Sequence, residues 1–84
     1  MYKVLWTKTA QKGLKKLDFP TAEKLVRKIE GYLVKSPRQL GKPMTHEYKG
    51  CYRYRMGDFR VIYQIREKEL VIWVLEAGHR SEIY

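Results

Sequence analysis

CYRYRMGDFRVIYQI, residues 51–65, is the stretch from which the rest of the fold can be worked out. Its Gly57-Asp58 pair is flanked on both sides by alternating residues, which reads as a β-hairpin, and a two-residue loop pairs Met56 with Phe59. That register sets the faces. Tyr52, Tyr54 and Met56 share one face with Phe59, Val61, Tyr63 and Ile65, an aromatic and aliphatic surface suited to a core. Arg53, Arg55, Arg60 and Gln64 take the other face. Arg55 then lies directly across from Arg60, and like charges directly opposed on a sheet cost about 0.2 to 1 kcal/mol. Such a cluster asks for an anionic ligand; without one, the same arginines are a solvated face with snorkelling stems.

The 84 residues fit one small domain, residues 1–84, with a single core and marginal stability unless a partner covers it. A formal charge of +9, from 18 Lys and Arg against 9 acidic residues, points to an acidic partner or a nucleic acid. Cys51 is the only cysteine, which excludes an intrachain disulfide and a cysteine-based metal cluster, and it reads as a buried or half-buried thiol at a strand start. The N-terminal residues MYKVLWTK lack the apolar stretch of a signal peptide. The longest uninterrupted apolar run, residues 70–75, is far too short to cross a bilayer. The expectation is a cytoplasmic protein with no membrane contact.

Upstream of the hairpin, residues 2–6 favour a strand, and Thr7 or Thr9 can cap the helix that follows. Ala10, Leu14 and Leu17 recur at helical spacing, with Lys8, Lys12, Lys15 and Lys16 on other faces and Gly13 as a weak point. A second helix starts near Pro20, carries the apolar stripe Ala22, Leu25, Val26, Ile29 and Leu33, and ends at Lys35-Ser36-Pro37. Residues 38–49 read as a loop with a short extended piece near residues 46–48. Downstream, Glu67 and Lys68 form a second turn, residues 70–77 form a central strand apolar on both faces, and Gly78 ends it. The predicted architecture is α+β: an N-terminal strand, a two-helix hairpin, then three consecutive antiparallel strands, with the helices on one face of a four-stranded sheet. The arginine face is then left open. If the second turn keeps parity, Trp73 projects to it as well.

His46 and His79 are isolated and no carboxylates cluster, so no metal site and no cofactor are expected. Neither a Gly-rich phosphate loop nor the spacing of a nucleophilic triad is present. What remains is a set of cations with a Tyr and a His. That set suits RNA cleavage in which the substrate's own 2′-hydroxyl attacks the adjacent phosphorus. Cations then stabilise the charge gathering on the phosphoryl oxygens, and a base and an acid handle the two protons.

Residues 51–65 together with the ending GHRSEIY resemble the signature half of the RelE-type toxins of bacterial and archaeal toxin–antitoxin pairs, within the wider RelE/ParE group. The resemblance implies a toxin of a type II system that enters the ribosomal A site and cleaves mRNA there, inhibiting translation, and that is masked by a cognate antitoxin. It implies catalytic roles for Arg53 and Arg55 on the basic strand, Arg60 after the turn, Arg80 after the last strand, and the terminal Tyr84. Family members commonly have Lys on that strand, one of them acting as base. Arg stays protonated at ordinary pH and clamps phosphate instead, which leaves Tyr84, His79 or Glu47 as candidates for the base. Lys49 and Trp73 are the RNA-binding candidates. Two other readings compete: a ParE-like gyrase inhibitor without nuclease activity, and a catalytically degenerate nucleic-acid-binding module.

Overall fold

Strand β1 (Lys3–Trp6) leads into helix α1 (Lys8–Lys15) through Thr7, whose extended backbone and side chain form the cap. Thr7 Oγ1 accepts the Ala10 N–H at 3.1 Å and donates to the Leu75 carbonyl at 2.8 Å, so one hydroxyl both starts the helix and ties it to the sheet. Helix α2 (Phe19–Gly31) has Asp18 as its cap and Pro20 in its first turn, where a missing N–H costs nothing. Described in this computed structural model are residues 2–79; Arg80 and Tyr84 lie outside them.

The second helix ends earlier than its apolar stripe suggests. After Gly31 the chain tightens into a 3-10 turn, Leu33–Lys35, and Pro37 opens a further short helix, α3 (Pro37–Leu40), instead of only closing the preceding one. A continuing α-helix would give the Leu33 carbonyl to the N–H of residue 37, which proline lacks; Ser36 N–H takes it at 3.1 Å. Leu33 and Val34 are buried by this turn.

Strands β2 (Lys42–Pro43), β3 (Tyr52–Met56), β4 (Phe59–Arg66) and β5 (Val71–His79) complete a sheet of order β1-β5-β4-β3-β2. Its fifth strand is the two-residue β2, and the extended piece lies there, not at residues 46–48, which form a 3-10 turn with His46 at φ 57°. An edge position suits Pro43, which has no N–H to donate to a further strand. β5 is central as its composition implies, parallel to β1 and antiparallel to β4. Residues 67–70, four and not two, connect β4 to β5, with Leu70 at φ 54° and its N–H bonded to the Glu67 carbonyl at 3.2 Å. Gly78 does not end β5, because pairing with β4 carries the strand through to His79. The β3/β4 register is the expected one, Met56 opposite Phe59 and Arg55 opposite Arg60. Gly57 at φ 60° occupies the first turn position, as in a type II′ hairpin.

Helices cover one face of the sheet, where Leu25, Ile29, Leu33, Val61, Tyr63, Ile72 and Val74 form the core. α1 lies so close to β5 that a Cβ on Gly13 would fall on the Ala77 carbonyl oxygen. Tyr63, fully buried, donates its hydroxyl hydrogen to the Pro37 carbonyl at 2.6 Å and thereby fixes α3 against the sheet. Burial pushes its phenol pKa far up, so it stays a neutral donor. Among the described residues no helix is long and apolar enough to cross a membrane.

Candidate functional site

The face of the sheet away from the helices carries the arginines. Arg55 and Arg60 are cross-strand partners beside the hairpin turn, and Arg53, two residues back along β3, has Lys42 of β2 as its partner on the other side. Two like-charged pairs therefore lie side by side, about 7 Å apart along the strand at the usual rise of about 3.4 Å per residue. Opposite Arg60 on β5 is Gly78, and Glu76, the partner of Ile62, lies two residues along on the same face.

This face is not left open throughout. Residues 44–49 fold back over it, and Met44 and Tyr48 pack on Cys51, Ile62 and Leu75 in a second, smaller apolar cluster. Ile62 is fully buried and Cys51 is 6% exposed, which places the thiol inside this cluster as a small apolar group. A bulge sets up the contact: Tyr63 pairs with Val74 and Ile62 with Glu76, so Leu75 is the extra residue on β5. The Tyr48 hydroxyl donates to Glu76 Oε2 at 2.9 Å and pins the segment. Between β2, β3 and the pinned segment lies a groove of about 510 Å³, lined by Lys42, Met44, Glu47, Tyr48 and Arg53 among others. A smaller hollow of about 120 Å³ shares Lys42 and Arg53 and reaches Tyr54 and Arg55. The Tyr54 phenol pKa is pushed up, first by burial and then by the neighbouring Tyr32.

Sequence-derived candidates separate accordingly. Arg53, Arg55 and Arg60 share one face, and Glu47 lines the groove beside Arg53. Lys49 is exposed at the end of the 46–48 turn. Trp73 keeps the expected parity but pairs with Gln64, four residues along β4 from Arg60, and its ring lies under Arg66, whose Cζ is 5.6 Å from the ring centroid. It is not part of the arginine cluster. His79 pairs with Phe59 and so takes the helix-side face, its ring edge-on to Phe59 at 5.7 Å and 87°. Lys42 is the basic residue that the sequence reading missed, since a two-residue strand has no period to reveal which way it faces. Glu76 and the Tyr48 anchor were missed for a similar reason: both depend on the bulge.

Residues 4–84 match the family described as the ParE toxin of the type II toxin-antitoxin system, parDE. Over 83 residues the chain is 32% identical to Toxin RelG of Mycobacterium tuberculosis, covering 99% of this chain and 95% of that protein. Toxin RelE of the same organism is also 32% identical over 83 residues, covering 99% of this chain and 86% of the relative. The crystal structure of the toxin-antitoxin complex RelBE2 from Mycobacterium tuberculosis contains a chain that superposes with a TM-score of 0.88 at 32% identity, covering 94% of this chain and 98% of that one. Family match, relatives and fold agree: the chain belongs to the RelE/ParE family of type II toxin–antitoxin toxins and is a RelE-type member of it.

Proposed function

We propose that this toxin is a ribosome-dependent endoribonuclease that cleaves mRNA in the A site and is held inactive by a cognate antitoxin. The observation that carries the reading is the opposed pair Arg55 and Arg60 with Arg53 beside it. Evolution normally keeps like charges apart across a sheet, and a phosphodiester bound between them turns a repulsion into two attractions. In the reaction the substrate's 2′-oxygen bonds to phosphorus while the bond to the 5′-oxygen breaks, leaving a 2′,3′-cyclic phosphate and a 5′-hydroxyl. Arg55 and Arg60 bind the non-bridging oxygens as their charge grows, and loss of one such donor typically costs about 10²-fold to 10³-fold in rate. Arg53 orients the neighbouring phosphate. The 2′-proton passes to a base, and the 5′-oxygen takes a proton from an acid. Tyr84 is the base favoured by the resemblance, and Glu47, which lines the groove beside Arg53, is the alternative. This scheme gives no role to His79, the partner of Phe59. Arg80 joins the phosphate clamp on the strength of the resemblance alone.

The antitoxin is inferred from the toxin–antitoxin complex of the relative and from this chain's +9 charge, which suits an acidic segment that folds on contact. A ParE-like action on DNA gyrase is the second reading, favoured by the description of the matching family. Primer extension on translating messenger separates the two. Wild-type toxin should give discrete stops, and Arg60→Ala and Arg80→Ala should each lose both the stops and growth arrest while still co-purifying with antitoxin. Growth arrest without stops, together with loss of gyrase supercoiling, would overturn the nuclease reading.

A further inference from the structure

We propose that the pair of Lys42 and Arg53, with the groove beside it, is a nucleotide-binding subsite that holds the phosphate and base of one unpaired nucleotide adjacent to the one clamped by Arg55 and Arg60. It rests on the RNA-directed reading above, which already gives Arg53 the neighbouring phosphate, and adds Lys42 as its partner and a place for the base. Lys42 and Arg53 face each other directly across β2 and β3, and this pair repeats, one strand over and two residues along, the arrangement of Arg55 and Arg60. The spacing of about 7 Å that the strand rise sets between the two pairs suits consecutive phosphates of an extended single strand. Lys42 is exposed and belongs to a strand of only two residues, so no packing role accounts for its presence there.

The groove supplies what a base needs. Its volume of about 510 Å³ falls in the range of small-molecule sites, and Met44 and Tyr48 line it beside the two cations. Tyr48 does not have to be ordered on binding, because its hydroxyl is already bonded to Glu76 and its ring packs on the smaller apolar cluster. The smaller hollow along β3, lined by Leu40, Lys42, Arg53, Tyr54 and Arg55, shares Lys42 and Arg53 with the groove and reaches Arg55.

The test is fluorescence anisotropy with the full chain and a labelled RNA tetranucleotide whose 2′-hydroxyls are methylated, which reads binding without cleavage. Affinity is measured against salt concentration. For single strands each phosphate contact contributes about 0.7 to the logarithmic salt slope. Lys42→Ala should shrink the slope by about that amount, Lys42→Arg should restore it, and Lys24→Ala on the exposed side of α2 should leave it unchanged. Removing the base at one position of the probe should weaken binding by about 5-fold to 150-fold, the range of one base stacked on an aromatic ring such as that of Tyr48, and Met44→Ala, which strips another apolar side chain from the groove lining, should reduce that discrimination. If Lys42→Ala leaves the slope unchanged while Arg60→Ala lowers it, the subsite is wrong and the RNA reading stands. An equal effect from Lys24→Ala reduces the result to general charge and overturns the subsite as well. If Arg60→Ala also leaves the slope unchanged, the RNA reading fails, and the subsite with it.

Discussion

Replacing Gly13 with Ala should destabilise the protein, although Gly→Ala inside a helix ordinarily stabilises by about 0.5 to 1 kcal/mol. The sign reverses because α1 rests on the backbone of β5. An added Cβ would land on the Ala77 carbonyl oxygen, with the carbonyl carbon at 2.9 Å, and neither atom belongs to a side chain that can swing away. Relief requires α1 to lift by more than an ångström, which loosens Ala10, fully buried on the same helix, and strains the bond from Thr7 to the Leu75 carbonyl. Over-packing of this kind costs about 1 to 3 kcal/mol, and an immovable neighbour places it at the upper end. Subtracting the helix gain leaves a net loss of about 2 kcal/mol. For a domain of this size that lowers Tm by about 8 to 16 °C. Thermal unfolding followed by circular dichroism reads it, with Gly31→Ala as the internal comparison. Nothing lies within 4 Å of a Cβ at Gly31, so that variant should raise Tm by a few degrees. A Gly13→Ala protein as stable as wild type would refute the close contact between α1 and β5.

Tyr63→Phe leaves the Pro37 carbonyl buried without its donor and should cost about 1 to 3 kcal/mol in urea unfolding; a loss under about 0.5 kcal/mol would contradict the buried bond. Asp18 accepts hydrogen bonds from the Thr21 hydroxyl and backbone N–H, which hold its carboxyl below the ordinary value of 3.8. Its contribution to stability is therefore fully present above that value and lost as pH falls through the lower folded one, so Asp18→Asn, which still caps, should flatten the Tm profile below about pH 4. An unchanged profile would remove Asp18 from the acid response. On ribosome-bound messenger, Tyr84→Phe should lower the single-turnover rate far more than it weakens binding, whereas a Glu47 base predicts that Glu47→Gln does so instead.

The hairpin of residues 51–65 was legible down to its register because a period of two and a Gly-Asp turn overdetermine it, and one residue of slip would have put the arginines in the core. Pro20 and the apolar β5 were legible for equally local reasons, and Thr7 was one of the two caps open to the first helix. Lys42 was not, since the two-residue β2 exists only because α3 delivers it to the edge of β3, and α3 is held there by Tyr63. The covering of the arginine face by residues 44–49 was hidden too. It needs Met44, Tyr48, Cys51, Ile62 and Leu75 to meet across three separate stretches of chain. For His79, a histidine beside a conspicuous arginine looked chemical in one dimension, and alternation along β5 turned it to the opposite side.

The parallel pairing of β1 with β5 links the first strand to the last described one, and β5 is also the strand against which α1 packs. During synthesis, therefore, the first strand and both long helices emerge long before the strand that must sit between β1 and β4 exists. Contacts of such long sequence separation close late. The arginine hairpin is made shortly before β5 and has no rigid backing until that strand docks.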